Sequence, residues 1–467
     1  MHLINSDKRN YINLVSYLVL SLPLSLIFSR FTADLSIVIL SIMFFFIRGE
    51  IKIFENKFLS IAIIFIVCAS ISSVLSNHII YSLKSSLLHL RFIFFILTVS
   101  ILFLYCKKNF LKNLFYIFLS CYLVLLFDAT IQFIFKQNIF GYTVNPINRV
   151  SSLFFDELIL GSYLSRLFPL LIFLYVYLKL RLNKYFIIYF LFHLYFVVFV
   201  TGERLSFMIL NIYYLLFIIF LFKTKLNKFF FISLTILIFL ITVTFSSSFN
   251  ARSSFKNFNS QISNLNYTYC NLTKDKIISD PELSKRWNYS PGKIVTIAPK
   301  IRLEGESFVP NCHPILKIFD TKIYYIFSLM HFNHYLSAIE MFMDNKFFGV
   351  GPKNFRKVCK SKKYYFNEFS CSTHPHNYYI QFLSETGIIG FSLFLMIYLS
   401  FLYLFVCNLL KQNNENFLSK YILISSFLVN LFPFFPGGNF FNNWIAIVYS
   451  LPLGFLIALY NTKKNNG

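Results

Sequence analysis

The chain has 467 residues, of which 57% are hydrophobic and 13% charged, with 63 Phe and 30 Tyr, and its mean hydropathy is +0.63. A soluble globular chain carries about 25% charged residues and a disordered one is poor in aromatics, so both classes are excluded. What remains is an all-α polytopic membrane protein, whose formal net charge of +24 suits nucleic acid, an anionic membrane face or an acidic ligand according to where the charges sit.

Apolar runs lie near 11–29, 32–47, 58–76, 88–105, 113–134, 158–178, 185–200, 205–222, 229–247, 388–410, 421–436 and 443–460. A run of about 20 residues crosses about 30 Å of hydrocarbon as a helix, so twelve transmembrane helices are expected. With both termini in the cytoplasm, the inner connections hold Lys8, Arg9, Arg48, Lys52, Lys57, Lys107, Lys108, Lys112, Lys179, Arg181, Lys184, Lys223, Lys225, Lys228, Lys411, Lys420, Lys463 and Lys464. The short outer connections hold only Arg30, Lys84, Lys136, Arg149 and Arg204. That asymmetry fixes the orientation, because cytoplasmic loops collect Lys and Arg. The long polar segment 248–375 therefore becomes a periplasmic loop between helices nine and ten, and divides the chain into 1–247, 248–375 and 376–467. The first span lacks a small-residue cleavage site and reads as an anchor, not a signal peptide.

The loop carries 18 Lys or Arg against 9 Asp or Glu. Nucleic acid does not fit that location; lipid-linked phosphates or acidic glycans do. Cys68, Cys106, Cys121 and Cys407 fall in or beside spans and read as buried thiols. Cys270, Cys312, Cys359 and Cys371 share the loop, where an oxidising compartment allows three pairings, Cys359 with Cys371 being preferred. Neither CxxC nor zinc spacing occurs, so neither metal nor cofactor is expected. No internal repeat is visible, which weakens an inverted-repeat transporter. Asn266, Asn271 and Asn288 head Asn-x-Ser/Thr triplets to which no role is given.

In chain order, charges inside or beside spans come first: Arg91, Asp128 and Arg166, with Asp156 and Glu157 just before the sixth span. Each costs about 2.5–3.5 kcal/mol at mid-membrane, so they face the bundle interior. Asp128 either pairs with Arg91 or Arg166, or these groups line a ligand cavity. Next, Thr201-Gly202-Glu203-Arg204 makes a tight outer turn in which Arg204 is either a fixed cation for a pyrophosphate or an arginine snorkelling to headgroups. In the loop, His331 to Asn345 reads as an amphipathic helix with Tyr335, Ala338, Ile339 and Phe342 on one face. Gly349-Val350-Gly351-Pro352-Lys353-Asn354-Phe355-Arg356 follows as a turn whose Lys353 and Arg356 suit an anionic headgroup.

The most informative stretch is His374-Pro375-His376-Asn377-Tyr378-Tyr379-Ile380-Gln381-Phe382-Leu383-Ser384-Glu385-Thr386-Gly387. Pro375 suits the first turn of a helix with Thr373 or His374 as cap, which puts His376 in that turn. Asn377, Gln381 and Glu385 then form one polar stripe at i, i+4 and i+8. A helix N-terminus favours anions and disfavours imidazolium, so His376 is expected neutral and able to accept a proton from a sugar hydroxyl. The competing reading is a histidine that marks the membrane interface.

These residues resemble the O-antigen ligase and polymerase membrane glycosyltransferases, whose shared motif is His-Asn-x-Tyr-Leu-Gln-x-Leu-x-Glu-x-Gly-x-x-Gly. Here it stands as His376-Asn377-Tyr378-Tyr379-Ile380-Gln381, then Leu383, Glu385, Gly387 and Gly390. The Thr201–Arg204 turn resembles the family's Ser-Arg turn, and Ala338 through Phe355 its helix and Gly-Val-Gly segment. The likeness is specific over about 330–395. It implies an enzyme of the inner membrane with its site facing the periplasm. Such an enzyme moves a glycan from an undecaprenyl-pyrophosphate donor to a hydroxyl on lipid A-core or another glycan, by inversion and without a metal. His376 would be catalytic and Arg204 would grip pyrophosphate, with Arg356, Lys353, His331, Glu385, Arg91 and Arg166 as substrate contacts. One departure stands: where the family has a second arginine four residues before an aromatic, this chain has His331 before Tyr335. Ligation is favoured over repeat-unit polymerisation by the long basic loop. A transporter of a lipid-linked or anionic solute is the reading of a different class.

Overall fold

The computed structural model describes residues 6–47, 57–106, 108–144, 149–224, 329–365, 370–410 and 416–461. Among these, the regular elements are helical, apart from an isolated bridge between Gln137 and Thr143. They are α1 (Ser6–Phe28), α2 (Arg30–Ile47), α3 (Lys57–Val74), α4 (Ile79–Tyr105), α5 (Lys108–Phe135), a 3-10 turn (Ser152–Phe154), α6 (Leu160–Tyr177), α7 (Lys184–Val200) and α8 (Arg204–Thr224). After them come α9 (Leu329–Asp344), α10 (Phe355–Val358), α11 (Tyr378–Leu410), α12 (Phe417–Asn430) and α13 (Asn443–Asn461). Eleven of the expected spans fall on these helices. The ninth, 229–247, lies outside the described residues. So do 248–328 with Cys270, Cys312 and the three Asn-x-Ser/Thr triplets, and the inner cations Arg48, Lys52, Lys107, Lys225, Lys228, Lys411, Lys463 and Lys464.

Among the described residues, seven helices are long and apolar enough to cross a membrane: α1, α2, α4, α5, α6, α11 and α13; α3, α7, α8 and α12 are shorter apolar helices. Tyr17, Phe45, Phe127, Tyr189 and Tyr403 are exposed, a surface that suits hydrocarbon because helices satisfy their own backbone groups.

The chain divides into two compact units. The first comprises 1–70, 84–237 and 392–467. Within it α1 packs on α2, α6 on α8 and α12, and α12 on α13, and α6 is buried along most of its length.

The charges in and beside the spans of this unit are engaged, but with partners other than those expected. Arg91 pairs with Asp34 (3.5 Å), whose other oxygen accepts from Asn443 Nδ2 (2.5 Å). Arg166 Nη1 donates to Asn430 Oδ1 (3.0 Å). Asp128 pairs with neither arginine. Its carboxylate accepts the Ile139 N–H (2.9 Å) and the Ser152 hydroxyl (2.5 Å). The reason is its place near the C-terminal end of α5, where connection donors are in reach. Nearby Gln132 Oε1 takes the N–H groups of Ser151 (3.0 Å) and Ser152 (2.7 Å), so α5 knits the following connection together. Glu157 pairs with Arg30.

The second unit comprises 71–83 and 238–391, and its described part is organised around a break in α11. Gly387 has φ 66° and ψ −169°, outside the helical region. Four helical hydrogen-bonding groups are thereby freed and all find partners in the Gly349 turn. The carbonyls of Ser384 and Glu385 accept from the N–H groups of Val350 (2.9 Å) and Gly351 (2.9 Å), while Ile388 and Ile389 donate to the carbonyls of Lys346 (2.8 Å) and Phe347 (3.4 Å). Only glycines allow two backbones so close. A Cβ on Gly387 would stand 2.2 Å from the Phe347 carbonyl oxygen, and one on Gly349 2.5 Å from the Glu385 carbonyl carbon.

Gly387→Ala should therefore cost at least about 1–2 kcal/mol for the left-handed backbone alone, with the Phe347 clash added. A thermal melt of the detergent-solubilised variant is expected several degrees below wild type; an unchanged melt contradicts this account of the break.

Candidate functional site

The second unit gathers four histidines. His331 and His334 stand one turn apart on α9, and His374 and His376 flank Pro375 just before α11. The ring of His376 lies at the centre, with centroids 4.9 Å from His331, 5.2 Å from His334 and 4.1 Å from His374. His331 and His334 are 6.3 Å apart. His334 is 3% exposed, and its Nδ1 is buried without a hydrogen-bond partner. His374 Nδ1 is 2.8 Å from the Thr373 hydroxyl.

His376 is not in the first turn of the helix. α11 starts at Tyr378, and Asn377 caps it, its Oδ1 accepting the N–H groups of Tyr379 (2.9 Å) and Ile380 (3.1 Å). An Asn cap satisfies two orphan donors that Thr373 and His374 do not reach. His376 is left outside with φ 60°, a left-handed conformation that is strained for a side chain of this size.

Electrostatics keep His376 and His334 uncharged. Burial, followed by the charges that His374, His331 and His334 would carry, lowers the pKa of His376 to about 2. Burial and then His331 lower that of His334 to about 4. Desolvation disfavours each imidazolium, and every ring protonated first opposes the next. Among the described residues, no group of His, Cys, Asp or Glu is arranged to hold a metal ion.

The rest of the unit holds the cluster in place. Asn377, Gln381 and Glu385 do share one stripe, and all three are buried. Glu385 Oε2 accepts from Gln381 Nε2 (2.8 Å) and Oε1 from the Phe355 N–H (3.3 Å), while the Lys353 N–H and the Lys353 charge also act on the carboxylate. Glu385 is thus an internal anchor for the turn that carries Lys353 and Arg356. Lys353 itself has φ 61°. Arg356 Nε donates to the Thr373 carbonyl (3.3 Å), tying α10 to the histidine-bearing loop.

Cys359 and Cys371 are joined by a disulfide with Cα atoms 5.4 Å apart, a second tie between the same segments. Beneath lies a core of Ala338, Met341, Val350, Phe355, Cys359 and Tyr364. α9 is not the one-faced amphipathic helix its sequence suggests. Asn333, His334, Ser337 and Glu340 are buried alongside Tyr335 and Ala338, and Ile339 and Phe342 are only half-buried. Its polar face turns inward because it meets polar partners, as where Ser337 Oγ donates to the Tyr364 carbonyl (2.8 Å).

In the first unit, the Thr201–Arg204 turn docks on the N-terminus of α6. Glu203 accepts the N–H groups of Gly161 (2.7 Å) and Ser162 (2.9 Å) and the hydroxyls of Ser162 (2.8 Å) and Ser206 (2.7 Å). A carboxylate there meets orphan donors and the positive helix end. Burial nonetheless pushes the Glu203 pKa up, against the pull of those bonds and of Arg149. Arg149 Nε donates to the Thr201 carbonyl (3.0 Å). Arg204 opens α8 directly after this anchored turn.

His334 and His374 escape a motif reading, although each has a signal: His334 lies one turn from His331, and His374 two residues from His376. The anchoring roles of Glu203, Arg149 and Ser72 leave no sequence signal. Ser72 Oγ reaches the carbonyls of Phe348 and Glu385.

Helices of this length and apolarity define a multi-pass helical membrane protein, here with a histidine cluster in which His376 and His334 are held neutral. The model of the O-antigen ligase family matches residues 328–395, from α9 through the break in α11, so this segment is similar to that family. No curated protein matches the chain.

Histidine resonances followed by NMR in the substrate-free protein, His376 being assigned through His376→Ala, should show His376 and His334 neutral from pH 8 down to pH 5. A His376 midpoint near its ordinary value of about 6.5 contradicts the reading of the cluster.

Proposed function

We propose that the protein is a membrane glycosyltransferase that moves a glycan from undecaprenyl pyrophosphate to a hydroxyl of lipid A-core, with His376 as general base. The observation that carries this reading is the neutral His376 imidazole at the centre of the histidine cluster, inside the segment that matches the ligase family. The Cys359–Cys371 disulfide supports an oxidising, periplasmic setting for this unit.

The reaction is an inverting displacement. The acceptor oxygen bonds to the anomeric carbon as the carbon–oxygen bond to the diphosphate breaks, and the electron pair leaves with the pyrophosphate. The hydroxyl proton passes to His376. Pyrophosphate is a stable leaving group once cations offset its charge. From the resemblance, Arg204 is the guanidinium that grips it; Lys353 and Arg356 are further cations on the turn held by Glu385. Burial and the neighbouring rings make His376 a poor base on their own. A bound diphosphate stabilises the imidazolium and raises its basicity, so proton acceptance becomes favourable when the donor is in place. His331, standing where the family's second arginine would stand, adds positive charge only when protonated.

The polymerase reading uses the same donor and differs only in its acceptor, a second glycan. Surface glycans of a deletion strain separate the two on a gel: loss of ligation removes all attached chains, whereas loss of polymerisation leaves single repeats. The transporter reading is weakened by the local partners of Arg91, Arg166 and Asp128.

His376→Ala should retain expression and melting behaviour while lowering glycan transfer by about 10²–10⁴-fold, the usual contribution of a general base. Wild-type transfer by that variant removes His376 from the mechanism.

A further inference from the structure

The first unit contains a cavity that the proposed chemistry does not use. It has a volume of about 360 Å³ and an almost wholly apolar lining, within the roughly 300–1,000 Å³ of small-molecule pockets. Its walls come from the first turns of α5 (Phe115, Leu119), the last turns of α6 (Ile172, Val176), the start of α7 (Phe186) and α12 (Ser425), together with α8. Three of its four lining tyrosines spend their hydroxyls on backbone carbonyls. Tyr213 donates to the Ser426 carbonyl (3.3 Å), Tyr214 to that of Leu191 (3.0 Å) and Tyr421 to that of Leu216 (2.9 Å). Such a lining suits hydrocarbon.

The cavity also has a charged rim. Leu182, one of its lining residues, belongs to the connection between α6 and α7, which carries Lys179, Arg181 and Lys184, all exposed. Lys108 and Lys112, exposed on the first turns of α5, stand one to two turns before Phe115. The lining residues of α6 and α7 flank the connection between those two helices, away from the Thr201–Arg204 turn at the other end of α7, and those of α8 come from its middle. An apolar slot with a cationic rim is complementary to a chain that ends in a phosphate, and basic pockets between membrane helices take anionic headgroups.

We propose that this cavity binds one acyl chain of an anionic glycerophospholipid, with its phosphate on Lys179, Arg181 and Lys184. The site shares no residue with the histidine cluster and is independent of the reaction assigned to it. The lipid enters from the leaflet at the basic end, which positive-inside asymmetry makes the cytoplasmic one.

Native mass spectrometry of the detergent-purified protein, titrated with phosphatidylglycerol or phosphatidylcholine, tests this. Phosphatidylglycerol is expected to bind at least tenfold more tightly, and K179A/R181A/K184A to abolish that preference. The charge-matched control K136A/K360A/K362A, which alters exposed lysines elsewhere, should keep it. Leu119→Trp, which fills the slot at a half-buried lining position, should lower binding of both lipids. Equal affinity for the two lipids, or an undiminished preference in K179A/R181A/K184A, overturns the proposal. So does displacement of bound phosphatidylglycerol by undecaprenyl phosphate at equal concentration, which would assign the slot to an isoprenoid tail.

Discussion

The second unit depends on an exchange of backbone hydrogen bonds. At Gly387 the helix gives up the bonds that Ser384 and Glu385 would accept from Ile388 and Ile389, and the Gly349 turn supplies a replacement for each. The exchange is nearly neutral in hydrogen bonds, because a buried backbone group left unpaired would cost about 1–3 kcal/mol. What it gains is position. The segment after α9 is fixed to α11, and Glu385 reaches across the junction to the N–H of Phe355. The arginine-to-carbonyl contact and the disulfide then tie α10 to the loop bearing His374 and His376.

That scaffold explains why His376 and His334 are held neutral. Isolated on a surface, each would titrate near its ordinary value of about 6.5. Brought together over a buried core, these two rings lose water and are opposed by the charge their neighbours would carry. The strained φ of His376 is maintained because the Asn377 cap on one side and the His374 segment on the other leave the backbone little choice. Strain held by surrounding structure is common where a side chain must be aimed.

Much of this was legible in the residues, and for physical reasons. Long apolar runs announce helices because hydrocarbon tolerates little else, and the Asn377–Gln381–Glu385 stripe follows from helical periodicity alone. The preference for Cys359 with Cys371 was likewise sound. What escaped the sequence depends on contacts between distant segments. Gly349 and Gly387 look like loose glycines until two backbones are seen to touch. Asp128 reads as half of an ion pair, yet connection donors at the end of α5 satisfy it. Asp34 gives no sign that it will meet Arg91. The first turn of α11 was misread because a proline start and an asparagine cap compete over three residues, and the cap with two bonds prevails.

The central claim is that this membrane protein carries out a transfer and does not drive transport, and gradient-free turnover addresses it most directly. Purified protein in detergent is mixed with a diphosphate-linked glycan donor and a hydroxyl-bearing acceptor, with no sealed compartment, and glycosylated acceptor is measured against time. The account predicts glycan transfer with stoichiometric release of undecaprenyl pyrophosphate. No transfer in detergent, together with donor movement in sealed vesicles that requires an ion gradient, would contradict it.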